Sequence, residues 1–186
     1  MDKEELIGRI DVPVKTHMVV DSTALIESYE LNMDDLIDIT FHKKKEIAFR
    51  AAWMLEYIVK HKPLQFYPHV AAFVLALPKQ ENPSAMRHFT KIMALMTDRR
   101  ANLLYTAALY TLDMNPVIDV LFTRLVDPNT LVASKVHCMQ ALANLAPQHD
   151  WIRDELEEAI DYLTEIESIA FFARAKMVKK QLKKYC

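Results

Sequence analysis

The chain has 186 residues, 52% apolar and 26% charged, with a net charge of −2. That suffices for one domain or a short repeat array with a real core, and it excludes a disordered chain. Its single glycine, Gly8, stands against the roughly a dozen of average usage, which excludes folds that spend glycine on turns, bulges or phosphate cradles: sandwiches, barrels, Rossmann units and P-loops.

Residues 1–42 hold three basic groups (Lys3, Arg9, Lys15) against ten acidic ones, a net of −7, whereas residues 43–186 hold twenty against fifteen, a net of +5. Ala173 to Cys186 carries Arg174, Lys176, Lys179, Lys180, Lys183 and Lys184 and no acid. Such an end is a solvated helix terminus that favours cations, or a surface for an acidic partner such as the N-terminal segment of another copy. A pI of about 6.4 disfavours a nucleic-acid coat. Cys138 and Cys186 are the only cysteines and make no disulfide framework. The acidic start lacks the pattern of a signal peptide, and no apolar run reaches the roughly 18 residues of a membrane span. A cytoplasmic protein without a membrane partner is expected, as a monomer or weak dimer.

Along the chain, residues 1–32 read as an acidic N-terminal cap, with Val12-Pro13-Val14 extended. Helical periodicity then dominates. Ile47, Ala48, Ala51, Leu55 and Ile58 recur at three- and four-residue steps, as do Phe89, Ile92 and Met96, then Val136, Met139 and Ala143. Leading helices are predicted near 33–41, 64–77, 116–126 and 150–163, each followed by a short polar loop and a second helix. Prolines punctuate the breaks. Asn82-Pro83 and Asn115-Pro116 each read as an N-cap followed by Pro at the first helical position.

Self-similarity is the stronger signal. Glu46-Ile-Ala-Phe49 recurs as Ser168-Ile-Ala-Phe171. Aligning second helices on Ala48 sets Ala85, Ala133 and Ala170 beneath it, at steps of 37, 48 and 37 residues. Two positions on stand Arg50, Arg87 and Lys135, then Phe172, where the basic pattern fails. The longer middle step places an inserted helix near 98–114.

This unit resembles a HEAT-like (armadillo-type) helical repeat: a first helix, a polar or Asp/Pro loop, then a second helix opening with an Arg and small residues. Leu36-Ile-Asp-Ile-Thr-Phe41 with Ile47-Ala-Phe-Arg50 is the clearest copy; His69 to Leu75 with Ser84-Ala-Met-Arg87 is the next. The resemblance implies an all-α, right-handed α-α superhelix, a short HEAT-like solenoid of about nine to eleven helices. Its units lie near 33–62, 64–97, 116–147 and 150–185, in one structural domain. Each pair of helices buries its faces only by stacking on its neighbours.

The sequence holds no CxxC pair, HExxH, EF-hand loop or phosphate-binding loop. His17 with Asp21, and His42 with Glu46, are i,i+4 pairs, too few for a closed metal site. Neither a cofactor nor a catalytic residue is predicted. Asp154, Glu155, Glu157, Glu158 and Asp161 read as a solvated helix face. Ten methionines read as adaptable core packing, or as a plastic binding surface. His137 and Cys138 diverge as helix neighbours, and Cys138 reads as a small buried residue. With Ala48, Ala51, Leu55 and Ile58 turned to the core, Arg50, Trp53, Tyr57 and His61 are expected on the opposite face, with Arg87 and Lys91 beside them. Arg, Trp and Tyr are hot-spot residue types, so Arg50, Trp53, Tyr57, Arg87 and Lys91 are the candidate partner-binding set; packing between repeats is the competing reading. In HEAT-like arrays the second helices line the concave face, so the resemblance implies a groove there.

The expected function is a non-enzymatic interaction module that binds a protein or peptide segment. The alternative is a DNA-binding enzyme similar in architecture to the HEAT-like alkylpurine DNA glycosylases, with no motif to carry across. A likeness to the all-helical fumarase and adenylosuccinate lyase group rests on Asn82-Pro-Ser-Ala-Met-Arg87, which has the wrong order and no glycines.

Overall fold

The computed structural model describes residues 1–11 and 18–185. The extended reading of Val12-Pro13-Val14 lies outside them, as does Cys186. The described chain is all helical, without a strand, and its contacts divide it into two compact units, 1–89 and 90–186.

The first unit opens with α1 (Lys3–Ile10). The Asp2 side chain caps it by accepting the Glu5 N–H at 2.8 Å, and Glu4 and Glu5 suit the positive end of its dipole. Leu6 and Ile10 are its buried residues. After α2 (Met18–Ser28), Asn32 caps α3 (Met33–Ile39) by accepting the N–H groups of Asp34 and Asp35. The 17-residue α4 (Lys45–His61) is the unit's spine: α1, α2 and α3 all pack on it. It buries Ile47, Ala48, Ala51, Ala52, Met54, Leu55, Ile58 and Val59.

The single helix expected over 64–77 is broken. It runs as a one-turn α5 (Pro63–Phe66), a 3-10 turn at Tyr67–His69, and α6 (Val70–Ala76), followed by a second 3-10 turn at Leu77–Lys79. Pro68 and Pro78 sit in the two tight turns, where the N–H that proline lacks is not required. The bend stacks rings: Phe73 lies 5.8 Å from Phe66 and 4.8 Å from Phe89, and Phe89 meets Phe41 edge-on at 6.1 Å. A buried Gln80 joins two loops, donating from Nε2 to the Thr40 carbonyl at 3.1 Å while its Oε1 accepts the Asn82 N–H. α7 (Pro83–Met96) starts as its sequence predicts, with Asn82 Oδ1 accepting from Ser84 and Ala85. The helix runs through the boundary of the two units, which falls after Phe89.

The second unit continues with α8 (Leu103–Tyr110), α9 (Asn115–Val126), α10 (Val132–Leu145), α11 (Trp151–Thr164) and α12 (Ile169–Leu182). α8 lies within 98–114, where an inserted helix is expected. At α9 the cap differs from expectation: Asn115 is already helical, and Asp113 Oδ1 accepts its N–H at 3.0 Å. α10 is the centre, packed on α9, α11 and α12. Cys138, Met139 and Leu142 meet Ile118, Leu121, Ile152, Leu156, Phe171 and Val178 in a core without solvent access. In the turn before α10, the Asn129 N–H holds the Asp127 carboxyl below its ordinary range.

One charge lies inside this core. Lys135, 1% exposed, pairs with Glu167 in the loop between α11 and α12. A buried ammonium without its partner is costly, whereas an apolar pair of similar volume is not. Because Glu167 keeps partial access to solvent, Lys135→Ala is expected to cost about 3 kcal/mol in urea unfolding. The double variant Lys135→Met, Glu167→Met is expected to recover to within about 1 kcal/mol of the parent.

Candidate functional site

On α4 the predicted stripe is present, but one member has left it. Trp53, Tyr57 and His61 lie one turn apart and stack: Trp53 and Tyr57 centroids are 5.7 Å apart at 26°, Tyr57 and His61 4.5 Å apart at 37°. Both larger rings are half-buried and His61 is exposed. The i,i+4 spacing builds this ladder within one helix.

Arg50 is not on that face. It is 3% exposed, and its Nη1 donates to the Ile10 carbonyl. That carbonyl belongs to the last turn of α1, where backbone acceptors lack helical partners. The expectation that Arg50 offers its charge to a partner is therefore corrected. Positions 47, 50, 54 and 58 share one buried side of the helix, so the guanidinium works inside the fold. Lys62 serves α2 in the same way, donating to the Ile26 carbonyl at 3.3 Å. At the Arg50 position of a later repeat stands Lys135, also buried.

Arg87 is exposed on α7, and Lys91 one turn later belongs to the second unit. Between them His88 is buried, its Nδ1 2.6 Å from Glu56 Oε2 and its ring 5.2 Å from Phe49. This contact fastens α7 to α4 beneath the first unit's surface.

The second unit holds a feature that the sequence does not announce, a cleft of about 1090 Å³ lined from α7, α8, α10, α12 and the loop at 97–102. Lys91, Arg99, Arg100, Arg174, Lys180 and Lys184 line it, against one carboxylate among its described residues, Asp98. Asp98 is committed to its own loop: Oδ1 accepts the Arg100 N–H at 2.8 Å and lies 3.6 Å from Arg100 Nε. Amides form one wall. Asn144 Nδ2 donates to the Ala94 carbonyl and Thr97 Oγ1, and Asn144 Oδ1 accepts from Gln140 and Gln181 at 3.0 Å each. Gln140 Nε2 also donates to Gln181 Oε1 at 2.9 Å, and Gln140 Oε1 accepts Arg174 Nη1 at 3.2 Å. These bonds fix the Arg174 guanidinium before any ligand arrives. The hints in sequence are Arg99-Arg100, the C-terminal cations and the i,i+4 amides Gln140 and Asn144.

A family profile of the HEAT repeat domain matches residues 6–184. The chain belongs to the HEAT repeat family. Comparison with curated proteins and with solved structures gives no significant match. In this HEAT repeat protein no group of three or more His, Cys, Asp or Glu among the described residues could hold a metal. His42 Nδ1 accepts the Lys44 N–H rather than meeting Glu46, and His17 lies outside the described residues. The acids of α11 are mostly exposed, with Asp161 bonded to Lys179. Among the described residues no helix is long and apolar enough to cross a membrane.

Burial pushes the Cys138 thiol up to about 12, which keeps it protonated and unreactive. In a Cys186→Ser background, Cys138 is expected to react with Ellman's reagent at pH 8 only after unfolding. Arg50→Met is expected to lower stability by about 1–3 kcal/mol, the cost of a stranded carbonyl, measured by urea titration.

Proposed function

We propose that this HEAT repeat protein is a non-enzymatic interaction module that holds a protein or peptide segment. The observation that carries the reading is the second unit's cleft. It is large enough for an extended segment, and Gln140, Asn144 and Gln181 in its wall are held by bonds to one another, which suits a rigid receptor rather than a reaction centre. Lys91 is the contact there among the residues proposed from sequence. On the first unit, Trp53 and Tyr57 offer a preorganised aromatic face that gains affinity at low entropic cost, with Arg87 as a charged contact in its own right.

Site-specific crosslinking tests the reading. A photoreactive residue at Leu103 in the cleft, or at Tyr57 in the ladder, is placed in tagged protein added to its native lysate. A discrete protein adduct that survives nuclease is expected from at least one site. Adducts to nucleic acid alone would replace the reading with the DNA-binding one. An absence of adducts at both positions, with a crosslinker on an exposed remote site as control, would remove it.

A further inference from the structure

Resting on that interaction reading, we infer that the second unit's cleft is a receptor for an acidic segment of a partner protein, in which carboxylates are interleaved with aliphatic residues. The charge argument comes first. Six cations line the cleft, and its one carboxylate among the described residues is engaged with Arg100. Arg99, Lys180 and Lys184 are exposed and make no ion pair among the described residues. Like charges gathered on low-dielectric walls focus a positive potential that concentrates anions. Arg174 adds direction. One of its nitrogens is held by Gln140, so the guanidinium meets a carboxylate without losing further rotamer freedom.

The apolar part of the lining narrows the class. Leu103 is 82% exposed and Met177 61% exposed beside those cations, with Leu95 half-buried between. Exposed aliphatic side chains within a charged site call for apolar groups on the occupant. A polynucleotide supplies phosphates but needs aromatic platforms for its bases, and no aromatic ring of Phe, Tyr or Trp lines this cleft among the described residues. Among the described residues, three of the four lining amides are also turned to one another, since Gln140, Asn144 and Gln181 bond among themselves and leave only Gln148 with a free edge. Half of the ten acids of residues 1–42 are already engaged. Glu5, Asp11, Glu27 and Asp38 form ion pairs and Asp34 hydrogen-bonds His69 within the first unit, which favours a partner's segment over another copy's as the occupant.

Fluorescence anisotropy on the full chain tests this. The probes are a labelled peptide of about twelve residues built from Glu with Leu at every third position, its twin with Gln for Glu, and an oligothymidylate of equal length. At about 50 mM salt the Glu peptide is expected to bind at least about tenfold tighter than the Gln twin, and tighter than the oligonucleotide. The double reversal Lys180→Glu, Lys184→Glu is expected to lose about tenfold or more with an unchanged melting temperature, since both lysines are exposed. Lys176→Glu, on α12 outside the cleft, is the control for net charge and is expected to lose far less.

Equal binding of the Gln twin, indifferent to the reversals, would overturn the acidic class and leave the interaction reading standing. Tighter binding of the oligonucleotide would overturn the inference in favour of a phosphate backbone. An equal loss from Lys176→Glu would overturn it in favour of diffuse charge. Failure of every probe to bind would also overturn it, while the crosslinks at Leu103 and Tyr57 decide the broader reading separately.

Discussion

A cation buried on the second helix of a repeat is the constraint around which each unit is organised. In the first unit it is Arg50, bonded to the last turn of α1. In the second it is Lys135, paired with the loop before α12. Apolar helix faces tolerate small slides at little cost. A buried charge does not, because a displaced partner leaves it unsolvated and unpaired. The two bonds reach across 40 and 32 residues of chain respectively. Each therefore fixes which helix sits beneath which, a specification that dispersion forces between alanines and leucines supply only weakly. The repeat thus carries its basic residue for registry in these copies, and the exposed Arg87 and Phe172 mark copies in which other contacts serve.

The same economy of polar groups shapes the cleft. Gln140, Asn144 and Gln181 satisfy one another and the α7 carbonyl of Ala94, so that wall presents shape and charge more than open hydrogen-bond sites. On the receptor reading proposed above, recognition in such a place would come from long-range attraction and from filling space beside Leu103 and Met177. Both are permissive about sequence, which suits a receptor for a composition rather than for a motif.

Much of the fold is legible in the sequence because the information is local. Apolar spacing, Asn82-Pro83 and the scarcity of glycine locate helices, and the self-similarity around Ala48 points to the HEAT family. What escapes is set by geometry beyond a few residues. The 64–77 helix divides at Pro68 because stacking Phe66, Phe73 and Phe89 favours a bend there. Met114 takes the N-cap position of α9 in place of Asn115, with Asp113 Oδ1 accepting the Asn115 N–H, because the chain turns into the helix one residue earlier. Charge alone points Arg50 outward, although its spacing from Ile47 and Met54 places it inward. Of the candidate site, the Trp53–Tyr57 ladder is legible as i,i+4 chemistry. The cleft is not, since it gathers residues from 91 to 184 that only packing brings together.

The boundary between the two units falls inside α7, a helix of 14 residues, and not in a loop. No linker separates them for a protease to find or for recombination to exchange. Backbone hydrogen bonds on either side of Phe89 belong to one cooperative ladder, so fraying that begins in one unit must be met by turns rooted in the other. Cutting the chain at that point would leave each fragment with only part of that helix.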